Sequence, residues 1–262
     1  MQKYGAGTNV GHVRKNNEDT FVCDAGQSLW LVADGMGGLG LGEVASAISA
    51  YTVTQLIRKG HGIYQAIESA HQEIKEFSQA EGFDTNMGTT LVLLKSKGSL
   101  YNIFWVGDSR AYLFDQALRQ ITVDHSLVQL LVDQGKLTPD EATRDPRKNA
   151  VTRALGVNEF TSVKADSVSD RWREGQKILL CTDGLTDLVS DAVIEEVLQG
   201  RGTDQQKVNR LIEIALANGG KDNVTVVLVS APDSAVNPES DTEYPDTGKS
   251  TNSSQTRTAS SG

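Results

Sequence analysis

Cysteine, basic charge and long apolar runs are all scarce in this chain. Only Cys23 and Cys181 occur among 262 residues. Neither has a partner at metal-ligand or redox spacing, which excludes a disulfide framework and a thiolate metal site. Cys181 lies inside an apolar run and reads as a small core residue, and a reduced, cytoplasmic setting is expected. No apolar stretch approaches the ~18 residues of a membrane span, and no basic-plus-apolar leader opens the sequence, so neither membrane spanning nor export is expected. Lys and Arg total 25 against 34 Asp and Glu, a net charge of -9. A phosphate backbone needs a basic footprint, so nucleic acid is excluded as a partner. His12, His61, His71 and His125 are scattered without zinc-type spacing. His71, on a predicted helix, reads as a surface or boundary residue.

Carboxylates, by contrast, recur at one kind of place. Three apolar, strand-like runs stop at an aspartate followed at once by a small residue: Asp34 before Gly35, Asp108 before Ser109, and Asp183 before Gly184. A fourth, Asp222, stands just before the strand-like run 223–229. Carboxylates at the ends of core strands are unfavourable unless a cation meets them. Four of them, far apart in sequence, predict one shared cation site. Oxygen-only ligands select hard cations, Mg²⁺ or Mn²⁺, over zinc or copper. Several carboxylates can hold two such ions about 3.5–4 Å apart, lowering the pKa of a bridging water. That suits hydrolysis of a phosphate ester, with an arginine balancing charge on the phosphoryl oxygens. Arg14 lies close to the acidic pair Glu18 and Asp19, although that segment alone reads as a mixed-charge surface turn. Arg110 and Arg153 read equally well as structural partners of buried acids. Spacing alone reaches a divalent-metal hydrolase and goes no further.

The framework around these residues is α+β. Strand-like stretches fall near 19–24, 28–33, 89–95, 100–106, 110–114, 177–182 and 223–230. Several follow one another after short turns, which favours antiparallel pairing. Helical patterns come in pairs. One helix spans 43–58; Ile63, Ile67, Ala70, Ile74 and Phe77 form the apolar face of the next. Val208, Leu211, Ile212, Ala215 and Leu216 repeat the pattern, with Gly219 as a stop. Thr138-Pro139-Asp140-Glu141 reads as a capped helix start. The expected architecture is two sheets packed face to face with helices outside, in one domain over 1–230. From Pro232 onward the composition turns to Ser, Thr, Pro and acidic residues, and 231–262 reads as a disordered tail.

Gly35, Gly37 and Gly40 satisfy G-x-G-x-x-G between a strand and a helix, the fingerprint of dinucleotide binding. Asp34 abuts the first glycine, however, and would put an anion where a pyrophosphate should lie. A second helix follows where a βαβ unit needs a parallel strand, and no ribose-binding carboxylate appears about 20 residues on. The glycines therefore read as a turn that frees a carbonyl oxygen to face a cation beside Asp34.

Taken in order, the motifs resemble the metal-dependent PPM-type serine/threonine protein phosphatases in their bacterial form. They are Val13-Arg14 with Asn17-Glu18-Asp19; Val32-Ala33-Asp34-Gly35-Met36-Gly37-Gly38; Met87-Gly88-Thr89-Thr90; and Val106-Gly107-Asp108-Ser109-Arg110. Thr122-Val123-Asp124-His125-Ser126, Arg153-Ala154-Leu155-Gly156, Cys181-Thr182-Asp183-Gly184-Leu185 and Gly219-Gly220-Lys221-Asp222-Asn223-Val224-Thr225 complete the series. The resemblance implies a four-layer αββα sandwich with two or three Mn²⁺ or Mg²⁺ ions at one end. Asp34 would bridge two ions, with the Gly35 carbonyl on one of them and Asp183 and Asp222 completing the other. Glu18 and Asp19 would stand beside the metals, Asp108 would share a third ion with Asp183, and Arg14 would bind phosphate.

Residues 126–152 fall where relatives carry a mobile flap. The implied substrates are phosphoserine and phosphothreonine proteins, the targets of a cellular Ser/Thr kinase or that kinase itself, acted on by a monomer. Met36 replaces the histidine that many eukaryotic relatives carry as a candidate acid, and Leu39 departs from the common bacterial Asp-Gly-Met-Gly-Gly-His. The general acid is left unassigned between a metal-bound water and His125. Two alternatives keep the fold: a regulatory phosphoprotein-binding module and a hydrolase of small phosphate esters.

Overall fold

The core strands are apolar on both faces because each sheet is covered on both sides. This is visible in the computed structural model, which describes residues 2–37, 41–81, 87–157 and 162–233. The chain opens with strands β1 (Tyr4–Asn9), β2 (Asp19–Asp24) and β3 (Leu29–Met36), then helices α1 (Leu41–Arg58) and α2 (Ile63–Ala80). Strands β4 (Gly88–Thr89), β5 (Leu91–Lys97), β6 (Leu100–Val106), β7 (Arg110–Asp115) and β8 (Ala117–Gln120) follow. Short helices α3 (Leu127–Asp133) and α4 (Pro139–Ala142) precede β9 (Asp166–Arg171) and β10 (Lys177–Cys181). Helices α5 (Asp183–Thr186), α6 (Asp191–Gln199) and α7 (Asp204–Ala217) lead into β11 (Val224–Ser230).

The strands form two antiparallel sheets, ordered β1-β11-β10-β7-β8 and β2-β3-β5-β6-β9, with β4 paired to β3. The period of two in a strand sorts the side chains into layers. Leu29, Leu31 and Ala33 of β3 pack against α1 and α2, while Trp30 and Val32 join Val92, Ile103, Ile178, Leu180 and Val227 between the sheets. On the other sheet, Leu179, Cys181, Val226 and Leu228 face Leu185, Ile194, Leu211 and Ala215 from α5–α7. The result is the expected four-layer αββα sandwich.

The expected helix pairs are present, and the Thr138–Glu141 capping box forms at α4. Strands β1, β8 and β9 escaped sequence reading, as did α3, α5 and α6. β1 reads Tyr-Gly-Ala-Gly-Thr-Asn and is held by its full register against β11 rather than by its own propensity. β9 is a polar edge strand. His71 is a correction: it is fully buried, not at a surface or boundary, and its Nδ1 accepts the Gly156 N–H at 2.9 Å. Arg110 meets the structural expectation, gripping the Asp124 carboxylate through Nε and Nη2 at 2.7–3.0 Å. Residues 38–40, which include the last glycine of the fingerprint, Gly40, and 234–262 of the expected tail lie outside the described residues.

Candidate active site

The carboxylates meet where the inter-sheet layer ends. On β3 the inward positions run Trp30, Val32 and then Asp34, which stands opposite Asp19 of β2 in the antiparallel register. The same alternation on the facing sheet runs Ile178, Leu180, Thr182 and, on β11, Val229, Val227, Thr225. Polar residues thus replace apolar ones at one end of an otherwise dry interface. The two hydroxyls close it: Thr182 and Thr225 donate to Asp19 Oδ2 at 3.0 and 2.7 Å. Asp19 Oδ1 is buried without a partner.

A cavity of about 240 Å³ opens above this end, lined by Arg14, Glu18, Asp34, Gly35, Asp108, Asp183 and Asp222. Met36, Gly37 and Thr90 complete its wall with Asn149 and Val151 from the predicted flap. Seven of the eight sequence-predicted site residues therefore share one cavity. Asp19 lies beneath it, its other oxygen engaged by the two threonines. Asp34 also sits inside β3 rather than at its end, because the strand continues through Met36. Its backbone is fixed on both sides: its N–H donates to Thr90 Oγ1 at 3.0 Å, and its carbonyl accepts from the Thr90 N–H and Thr89 Oγ1 at 2.9 Å. Gly35 is required by space. A β-carbon there would collide with the carbonyl oxygens of Gly42 and Glu18, where α1 approaches the strand.

Burial and mutual repulsion set the electrostatics. Desolvation holds the Asp34 carboxyl well above its ordinary range, reinforced by Asp19 and Asp183. Burial, with Asp183 adding repulsion, pushes Asp108 to about 8. Burial with repulsion from Asp187 and Asp222 lifts Asp183 to about 6, and burial raises Glu18. Asp19 rises to about 7, since its two hydroxyl bonds only partly offset desolvation. Carboxylates packed this way await positive charge. The donor set fits a hard divalent cation: the cavity wall supplies oxygen ligands and carries neither histidine nor cysteine. Among the described residues no three of these side chains close around a single point as they stand.

Among the described residues Arg14 is the one cation on this wall, and it is already engaged. Its Nη2 donates to Asp222 Oδ2 at 2.7 Å, with the two side chains 53% and 34% exposed. An ion pair that open is worth about 0–1 kcal/mol, so little free energy holds Arg14 on Asp222. His125 lies elsewhere. It is buried, its Nδ1 accepts the Gly107 N–H and its Nε2 meets Asp166, both at 3.0 Å. It fixes the turn that carries Asp108 and is not part of the cavity wall. Thr182, Thr225 and Thr90 stand in the motifs above, but their bonds to Asp19 and Asp34 are not legible there, since a threonine in or beside a strand looks like any other β-branched residue.

The model of the family described as protein phosphatase 2C matches residues 6–213. The chain belongs to the protein phosphatase 2C family. Among its relatives, the serine/threonine protein phosphatase PstP of Mycobacterium tuberculosis is 39% identical over 238 residues, 88% of this chain. The chain spans only 45% of that protein's length. The serine/threonine phosphatase stp of Listeria monocytogenes is 36% identical, over 85% of this chain and 93% of its own. The crystal structure of the mycobacterial phosphatase superposes with a TM-score of 0.81 at 38% identity, over 87% of this chain and 98% of that one. The catalytic domain of PstP has also been solved in complex with two manganese ions, with a TM-score of 0.78, 38% identity, and 87% and 97% of the two chains covered. The protein phosphatase 2C fold therefore holds for the chain from end to end of its sandwich, and the carboxylate cavity sits at one end of it.

Proposed function

We propose that this protein is a metal-dependent serine/threonine protein phosphatase that hydrolyses phosphoserine and phosphothreonine in proteins. The observation that carries the proposal is the single cavity in which Asp34, Asp108, Asp183, Asp222 and Glu18 face Arg14. Asp34 with the Gly35 carbonyl, Asp183 and Asp222 would hold two Mn²⁺ or Mg²⁺ ions, with Asp34 shared between them. Asp108, beside Asp183, would contribute to a third. Such ions would neutralise the carboxylates and lower the pKa of a water placed to attack phosphorus.

The chain's own groups do the rest. Arg14 leaves Asp222 for the phosphoryl oxygens and orients them with its planar fork. Asp19 acts through its threonines, holding the two sheet ends at the spacing the carboxylates need. The cavity of about 240 Å³ accepts a phosphomonoester head while the polypeptide bearing it stays outside. The relatives named as serine/threonine phosphatases support a phosphoprotein substrate, and with it a role opposite a Ser/Thr kinase. Two free cysteines support a reducing, cytoplasmic location. The exposed large apolar side chains among the described residues (Tyr4, Val13, Tyr51, Tyr64, Val123, Leu130 and Val168) come singly from different elements and connections, which supports a monomer.

The test is phosphate release from a phosphothreonine peptide with Mn²⁺, with chelator, and with Asp183→Asn. The expected result is turnover that needs the metal and falls at least about 100-fold in the variant. Turnover in fully chelated enzyme would refute metal dependence. No turnover of any phosphopeptide by the metal-loaded protein would favour a binding module.

A further inference from the structure

We propose that Asn223 is a positioning residue that sets Arg14 and Glu18 for the reaction; this rests on the phosphatase reading above. Asn223 follows Asp222 directly and is 5% exposed. Its Nδ2 donates to the carbonyls of Val10 at 2.9 Å and Asn16 at 3.0 Å, and its Oδ1 accepts the Glu18 N–H at 2.8 Å. Both donors and an acceptor of one planar amide are thereby committed. Val10 and Asn16 bracket the segment between β1 and β2 that carries Arg14. One side chain therefore ties the two ends of that segment together and then ties the acidic residue that follows it.

The backbone of Asn223 reaches the remaining ligands. Its N–H donates to Asp222 Oδ1 at 2.9 Å. Its carbonyl oxygen presses on Gly184, beside Asp183, so closely that a β-carbon there would collide with it. Asn223 is thus in contact with, or adjacent to, the segments that carry four residues of the cavity wall, while its own side chain stays off that wall. Leucine could fill the volume, and aspartate could keep the acceptor. Only a carboxamide supplies two donors and an acceptor in one plane.

This division makes the role testable on the full chain. Asn223→Asp keeps the acceptor for the Glu18 N–H and loses both donors to the Arg14 segment. The expected result is a KM for a phosphothreonine peptide raised about 10-fold or more, with kcat changed less and the Mn²⁺ affinity by calorimetry within about 3-fold of wild type. Asn223→Ala loses all three bonds and should also weaken Mn²⁺ binding, by about 10-fold or more. In an Arg14→Ala background Asn223→Asp should add nothing further to KM, because the two act through one group.

A wild-type KM in Asn223→Asp, or fully additive effects with Arg14→Ala, overturns the proposal. Failure of both Asn223 variants to fold, judged by their melting curves, overturns it in favour of a purely architectural residue. If the wild-type protein turns over no phosphopeptide, the phosphatase reading fails separately. The comparison of Mn²⁺ affinities then still decides whether Asn223 sets Glu18.

Discussion

His125 shows how a residue can belong to a family motif and still stand off the cavity wall. The Gly107 N–H occupies Nδ1, so the ring proton sits on Nε2 and points at Asp166. Desolvation, helped by the nearby Arg153 guanidinium, holds its pKa below the ordinary histidine value. The sign of the pH effect follows. As pH falls through the ordinary value of about 6.5, the unfolded chain takes up a proton that the folded chain declines, and stability is lost. The contribution is constant above about pH 7.5 and amounts to at most about 1.4 kcal/mol per pH unit below it. Asn at this position keeps an acceptor for Gly107 and cannot titrate. Wild type should therefore lose more melting temperature than His125→Asn between pH 7.5 and 5.5, while the pH profile of turnover keeps its shape. Parallel melting curves, or a vanished limb in the turnover profile, would contradict this assignment.

Among the elements, the segment between β8 and β9 is the one tied to the site by its ends. Ser126 pairs with Val151, and the Leu127 and Thr152 N–H groups donate to the Ala150 and His125 carbonyls at 2.8 and 2.7 Å. Farther along, Lys148 Nζ meets Asp187 Oδ1 at 2.8 Å and Asn149 Nδ2 donates to Asp187 Oδ2 at 3.1 Å. These bonds fasten residues 148–149 to the end of α5, the helix that begins with Asp183, and leave a larger cleft of about 800 Å³ beneath α3 and α4. The Lys148–Asp187 pair is partly exposed on both sides, so it contributes about 1 kcal/mol or less. Lys148→Ala should leave the melting temperature within a few degrees of wild type yet speed hydrogen exchange over 139–150, with α7 unchanged. Unaltered exchange in that segment would mean that the backbone bonds alone hold it.

At the scale of the whole molecule, the fold was legible where both faces of a strand are buried. The apolar runs of β3, β6, β10 and β11 marked themselves, and the aspartates within or beside them marked the candidate site. β1 and β9 did not, because glycine and surface polarity conceal a strand that is held by its neighbours rather than by an apolar pattern of its own. The carboxylates could be listed from sequence, but not the division among them. Which side chains face the cavity depends on the register that sets Asp19 opposite Asp34 and on the threonines arriving from the other sheet. Asp19, expected beside the metals, lies beneath the cavity and is bonded through Oδ2 to two threonines of the other sheet. The central claim is that one cavity gathers these charges around cations shared by Asp34. Calorimetric titration of the metal-free protein with Mn²⁺ tests it most directly. Wild type should bind two ions tightly and Asp34→Ala neither, with its fold retained; an Asp34→Ala protein that still binds both would contradict the account.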